Sequence, residues 1–253
     1  MPLELVTIPC LQDNYAYLLH DAASGHTTLV DAPAAAPILK ALADRGWHLD
    51  QILLTHHHAD HIQGVPELVA ATSATVIGAK ADAHRLPPLT HAVSEGDTIT
   101  IGPDTAQIID VTGHTIGHIA FLLPGMAFTA DSLMAGGCGR LFEGSPAVMW
   151  QSLSKLAALP AETLICSGHE YTTANLAFAA TIEPDNADLQ ARIARTAAAR
   201  AAGIATVPSL LSEELATNPF LRANLSHIKA MLGLPEATDA AAFAEIRSRK
   251  DHF

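Results

Sequence analysis

Thr55-His56-His57-His58-Ala59-Asp60-His61 follows directly on the apolar run Gln51-Ile52-Leu53-Leu54. The run predicts a strand reaching Thr55. Residues two apart on an extended chain point the same way, so His56 and His58 face one point. The chain must turn after His58, and Asp60 and His61 then face a neighbouring point. Imidazole and carboxylate donors in this density suit zinc, iron or manganese. His57 points away and belongs behind the ligands or in solvent. A surface histidine run or a tag is the bland reading. The internal position, the preceding strand and the aspartate inside the run all oppose it.

Later strand ends supply more donors of the same kind. Gly113-His114-Thr115-Ile116-Gly117-His118 follows the run ending at Val111. Its i, i+4 histidines would suit a helical metal pair, but the flanking glycines and the strand-like run after His118 predict a loop. Spacing alone does not say which of the two histidines binds. Asp131 follows Ala127-Phe128-Thr129, and His169 follows Thr163-Leu164-Ile165-Cys166. Any one of these groups alone reads as a turn residue. Together at successive strand ends they read as one metal site.

The 253 residues carry 14 histidines, a formal net charge of -12, 49% hydrophobic and 16% charged side chains. That composition supports a real core and opposes disorder. The acidic balance opposes a nucleic-acid role, which needs clustered Lys and Arg. An anionic substrate would need a local basic patch. Three widely spaced cysteines, Cys10, Cys138 and Cys166, fit a reducing cytoplasm rather than a disulfide framework. The opening Met1-Pro2-Leu3-Glu4 shows no secretory leader, and no apolar run is long enough for a membrane span.

Short strand-like runs fill the first two thirds: Tyr15 to Leu19, Thr28 to Val30, Gln51 to Thr55, Ala74 to Ile77, Thr98 to Ile101, Gln107 to Val111, Ile119 to Leu123, Ala127 to Thr129 and Thr163 to Cys166. Helices are predicted over Ala35 to Arg45 and Met149 to Ala158. This is an α/β order, sheets covered by helices. After Glu170 the texture changes, and no convincing strand is visible. Thr172 or Thr173 is a cap candidate for a helix to Ile182. Further helices are predicted at Asp188 to Ala202, Ser212 to Ala216, Ser226 to Leu232, and from a Thr238 cap through Arg249. Two domains follow, 1–170 and an all-helical 171–253.

The ordered set Thr55 to His61, Gly113 to His118, Ala130-Asp131 and Gly168-His169 resembles the metallo-β-lactamase superfamily, whose fold is an αβ/βα sandwich of two mixed sheets. Asp13-Asn14-Tyr15, Gly137-Cys138-Gly139-Arg140, Gly168 to Thr172, Asn218-Pro219-Phe220-Leu221-Arg222 and Arg247 to Asp251 narrow the likeness to glyoxalase II enzymes. The likeness runs through the whole chain, including the helical tail. It implies that His56, His58 and His114 hold one divalent metal, that Asp60, His61 and His169 hold a second, and that Asp131 bridges them. His118 then stands behind the ligands. It implies two zinc ions, with iron or manganese as alternatives. Arg140, Phe142, His169, Tyr171, Arg247 and Lys250 are the implied substrate residues. Arg140 stands where many eukaryotic members have lysine, and Phe142 where they have tyrosine. The charge is kept, but a hydroxyl is lost, so weaker glutathione affinity is expected.

The implied reaction is hydrolysis of S-D-lactoylglutathione to D-lactate and glutathione, with Asp60 and Asp131 orienting the attacking water. Two metals supply a water of lowered pKa and a Lewis acid for the carbonyl oxygen. The thiolate leaves without a general acid, since thiols ionise near about pH 8.5. The expected partner is a small glutathione thioester, with no nucleic acid and no membrane, and the chain is expected to act as a monomer. Alone, Arg247 and Lys250 would read as a solvated helix end. The likeness turns them into a carboxylate site. A glutathione-dependent persulfide dioxygenase of the same superfamily is the alternative. The full second-metal set and the long tail oppose it.

Overall fold

The computed structural model describes residues 3–253, which divide into two compact units. The first holds 3–110 and Gly117–Phe128, the second Val111–Ile116 and Thr129–Phe253.

In the first unit, strands β1 (Glu4–Cys10), β2 (Asn14–His20) and β3 (Thr27–Val30) pair antiparallel. Helix α1 (Ala35–Arg45) leads to β4 (Gln51–Leu54), which lies parallel to β3. The short helix α2 (Ala59–Ile62) and α3 (Val65–Thr72) precede β5 (Thr75–Ala79) and β6 (His91–Val93), both parallel additions. The result is a mixed six-stranded sheet in sequence order. β2, β3 and β4 are buried throughout, which explains why they read as nearly continuous apolar runs rather than alternating ones. Helix α1 covers the sheet with Ala35, Ile38 and Leu42, spaced as one helical face, and Gly46 closes it in the left-handed region (φ 67°). These side chains join Leu18, Leu29, Ile52 and Leu54 in one core. Strands β7 (Thr98–Ile101), β8 (Asp104–Asp110), β9 (Ile119–Leu123) and β10 (Met126–Ala130) form an antiparallel meander, β10 through Phe128.

β10 continues as Thr129 and Ala130 in the second unit, where the Gly168 N–H donates to Ala130 O (3.1 Å). A two-residue hairpin, β11 (Leu133–Met134) and β12 (Gly137–Cys138), follows. Helix α4 (Pro146–Ala157) starts on a Ser145 cap, and β13 (Leu164–Ser167) precedes α5 (Thr172–Ile182) and α6 (Ala187–Ala201). Strand β14 (Ser209–Leu210), α7 (Leu211–Thr217), α8 (Ser226–Met231) and α9 (Asp239–Asp251) complete the chain.

The region after Glu170 is helical as expected, with one exception. β14 pairs antiparallel with β13 over Ser209 and Leu210, too short a stretch to leave a periodic pattern. The expected threonine cap of α5 is also corrected. Tyr171 is the cap position, without a side-chain capping bond, and Thr172 Oγ1 instead pairs with Thr206 Oγ1 (2.6 Å). Thr238 caps α9 as expected, accepting the Ala241 N–H at 3.2 Å.

Candidate metal centre

Strand ends and the short segments that follow them carry the candidate donors. At the end of β4, His56 is fully buried, and the chain turns at His58 into α2, which carries Asp60 and His61. Thr55 Oγ1 gives its proton to Asp31 Oδ2 (2.9 Å), so the His56 Nδ1 at 3.0 Å must donate to Thr55 Oγ1. Nε2 is then the ring's acceptor nitrogen, and it lies 3.2 Å from His58 Nδ1. His61 Nδ1 sits 2.8 Å from Asp31 Oδ2, which fixes the proton on Nδ1 and makes Nε2 the acceptor. Asn14 Nδ2 donates to the Asp60 carbonyl (3.0 Å) and to Asp60 Oδ2 (3.1 Å). His57 turns away, with Nδ1 2.9 Å from the buried Asp82 Oδ2. His118 lies in a loop, stacks on His56 at 4.6 Å and points Nδ1 at Ile119 O (3.2 Å), behind the donors rather than among them.

The second unit arranges His114, Asp131 and His169. His114 Nδ1 lies 2.8 Å from Arg140 O; a carbonyl only accepts, so Nδ1 carries the proton. His114 Nε2 is 3.4 Å, and His169 Nε2 3.3 Å, from the same oxygen, Asp131 Oδ2. Ligands about 2.0–2.1 Å from a tetrahedral ion are about 3.3–3.4 Å apart, the spacing these groups keep. Gly139 makes the close approach possible: a Cβ there would collide with the Asp131 carbonyl and crowd His114 Nδ1. Ala130 precedes Asp131 at φ 41°, a left-handed conformation that costs a non-glycine residue energy and aims the following side chain. Thr115 Oγ1 and Ser132 Oγ are buried without hydrogen-bond partners among the described residues. Each unit therefore holds part of a His/Asp set suited to a binuclear metal centre.

The remaining candidates are all in the second unit. The Phe142 ring meets His114 edge-on at 5.2 Å, and Tyr171 stacks on His169 at 4.6 Å. Phe142 is 62% exposed, and Arg140 is also exposed. Arg247 is buried: its guanidinium donates to Cys138 O (3.1 Å), pairs with Asp251 (2.8 Å) and lies over Phe220. Its Nε has no hydrogen-bond partner among the described residues. Lys250 Nζ donates to Ala174 O (3.0 Å). Burial pushes the Lys250 ammonium below its usual range, and the charges of Arg247 and Arg140 push it further. Burial raises the Cys138 thiol to about 11 against the pull of Arg247, so it is no thiolate nucleophile near neutrality.

Sequence reasoning gave Asp31 no role and used Asn14 only as a mark of resemblance. Asp31 has a signal in hindsight, a carboxylate at a strand end like the ligands. Its left-handed φ of 56° had none. Outer partners of this type set ring orientation and basicity. Asp31→Asn is expected to weaken metal affinity about 10- to 100-fold with the fold intact. Competition with a chelator checks this, and parent-like affinity would remove Asp31 from the site.

Residues 13–169 match the metallo-β-lactamase superfamily, and the two mixed sheets and C-terminal helices are that fold. Residues 170–253 match the hydroxyacylglutathione hydrolase C-terminus. The chain is 65% identical to the hydroxyacylglutathione hydrolase of Fuscovulum blasticum and 63% identical to that of Ruegeria pomeroyi, over 100% of this chain and of each relative. The chain belongs to the hydroxyacylglutathione hydrolase family. Among solved structures, TTHA1623 in a di-iron-bound form is 29% identical over 66% of this chain and 91% of that one, TM-score 0.57. ETHE1 from Myxococcus xanthus, at 24% identity, TM-score 0.66, and 98% and 90% coverage, shares the fold. No helix of the described residues is long and apolar enough to cross a membrane.

Proposed function

We propose that this chain is the thioesterase that hydrolyses S-D-lactoylglutathione to D-lactate and glutathione, the second step of methylglyoxal detoxification by the glyoxalase route. The observation that carries the site is Asp131 Oδ2, set between the Nε2 atoms of His114 and His169 at ligand spacing. His56, His58 and His114 would hold one ion, and Asp60, His61 and His169 the other, with Asp131 available to both. Zinc suits the donors and the tetrahedral spacing; iron and manganese accept the same groups. Bound there, the ions would supply a water of lowered pKa and polarise the thioester carbonyl. Asp60 and Asp131 orient that water, and Asn14, Asp31 and the Arg140 carbonyl keep the donors aimed.

Substrate binding falls to Arg140, Phe142, His169, Tyr171, Arg247 and Lys250. Three cations within electrostatic reach of one another support an anion site, because they repel until a carboxylate arrives. The functional division lies at residue 170, with 1–170 carrying the chemistry and 171–253 the substrate contacts. The adjoining family matches support it. Every assigned residue comes from one chain, so a monomer suffices. Three buried, unpaired cysteines support a cytoplasmic setting.

The purified protein is expected to hold about two metals per chain and to release thiol from S-D-lactoylglutathione without consuming oxygen. Metal analysis with a thiol-release assay tests this. Full metal loading without thiol release would refute the thioesterase, and oxygen uptake would favour the dioxygenase.

A further inference from the structure

Asn218-Pro219-Phe220-Leu221-Arg222 marks the family in the sequence, yet none of these residues enters the proposed chemistry. Asn218 is fully buried at the end of α7. Its amide nitrogen donates to Gly137 O (2.9 Å) and Met134 O (3.2 Å), the two carbonyls that flank the turn between β11 and β12, and to Glu214 Oε2 (3.1 Å). Its Oδ1 accepts the Phe220 N–H (3.1 Å). Glu214 Oε2 also accepts the Gly136 N–H at 2.8 Å. The turn is thus held at three backbone groups by two fully buried side chains. Glu214 is in turn paired with the buried Arg192 and with Ser209 Oγ (2.7 Å).

The same hairpin runs straight into the site. Gly139 N–H bonds back to Ser132 O (3.3 Å), and the carbonyl of Arg140 receives the His114 Nδ1 proton. Only Cys138 and Gly139 separate the anchored Gly137 from Arg140. A shift at the turn therefore moves the carbonyl that sets the tautomer of His114. Helix α9 adds one further tie, Arg247 to Cys138 O.

We propose that Asn218 is a positioning residue for His114, acting through the β11–β12 turn and the Arg140 carbonyl. The proposal rests on the reading of His114 as a metal ligand, but its geometric claim concerns the His114 proton and is measured apart from it. Asn218 is neutral, so its replacement strands no buried charge, whereas a change at Glu214 would strand Arg192. Asn218→Ala removes both donors and the acceptor. Asn218→Ser keeps an acceptor for Phe220 N–H in the manner of a serine turn and loses the reach to the hairpin, so it remains informative if the alanine variant fails to fold.

Two readouts decide. The first is the imidazole 15N spectrum in mildly alkaline buffer, where free imidazole is neutral, with His114 assigned by its loss in His114→Gln. The parent shows a protected proton on Nδ1; in the Asn218 variants it exchanges faster. The second is zinc affinity by chelator competition, expected to fall about 10- to 100-fold in the variants and to stay at the parent value in Lys40→Gln, an exposed change outside the site. Folded variants with a lower unfolding temperature but the parent's His114 proton and zinc affinity would make Asn218 a core residue only and overturn the proposal. A parent without an Nδ1 proton on His114 would overturn it directly. A parent that binds no zinc yet shows the protected proton would sink the ligand reading and leave the positioning claim standing.

Discussion

Asp131→Ala is expected to lose bound metal and thioesterase activity together. One oxygen, Oδ2, lies within 3.4 Å of both His114 Nε2 and His169 Nε2, nitrogens assigned to different ions. Removing it would take from both ions the donor assigned to them in common and leave two imidazoles without the anion that balances the cations. Metal-assisted polarisation is worth several kcal/mol of transition-state stabilisation, so turnover should fall about 10³-fold or more. Metal per chain measured beside thiol release checks the coupling, and circular dichroism checks the fold. A folded variant that keeps two metals per chain and parent turnover would take Asp131 out of the site. Asp131→Asn, which keeps an oxygen but loses the charge, should fall between the two.

The candidate donors were legible because most of them sit close behind strand ends. His56 follows a four-residue apolar run that needs both faces covered, and Asp131 and His169 follow runs of the same kind. The period-2 rule set His57 apart from His56 and His58, and in the structure His56 Nε2 lies 3.2 Å from His58 Nδ1 while His57 Nδ1 lies 2.9 Å from Asp82 Oδ2. The 114–118 spacing left two ring choices open. His114 is marked out from His118 by the approach of its Nε2 to Asp131 and of its Nδ1 to the Arg140 carbonyl, contacts far along the chain that no local pattern encodes. Asp31 was hidden for a related reason: its carboxylate serves Thr55 and His61, more than twenty residues away in sequence.

Fold legibility follows the same divide. Helix α1 was read to its ends because its apolar spacing and Gly46 are local signals. Strand β1 was not among the runs read. It is the edge of its sheet and is only partly buried, and Pro9 inside the run weakens its reading as a strand. The two-residue strands β11, β12 and β14 are shorter than any period. Yet β11 and β12 carry the turn that Asn218 grips, so the least legible elements lie closest to the site's second layer.

Lys250→Gln with Arg140→Gln should raise KM for S-D-lactoylglutathione by about 10²-fold and leave kcat and metal content near the parent. Arg247, the other cation expected to meet the carboxylate, is a poor first test. It is buried and bonded to Cys138 O, so its removal would loosen the hairpin as well as the substrate. Lys250 and Arg140 are more accessible. Each charge-assisted contact is worth about 1.5–3 kcal/mol, or roughly tenfold and upward in affinity, and the two are coupled rather than additive. The effect belongs in KM because the contact is remote from the reacting carbonyl and holds substrate and transition state alike. A small thioester without glutathione should be handled equally by parent and variant, since it offers no carboxylate. The sign with pH is also fixed. Burial and the neighbouring arginines lower the Lys250 pKa, so with rising pH the ammonium is lost before an ordinary lysine's would be, near about pH 10.4. A bound carboxylate favours the charged form and raises that pKa, so binding takes up protons there. Affinity in the parent should therefore weaken as pH climbs through the depressed pKa, and the double variant should lack that limb. Equal losses on both thioesters would indicate a damaged fold. A parent-like KM would return Lys250 to a helix end that serves the Ala174 carbonyl and the Phe178 and Phe253 rings.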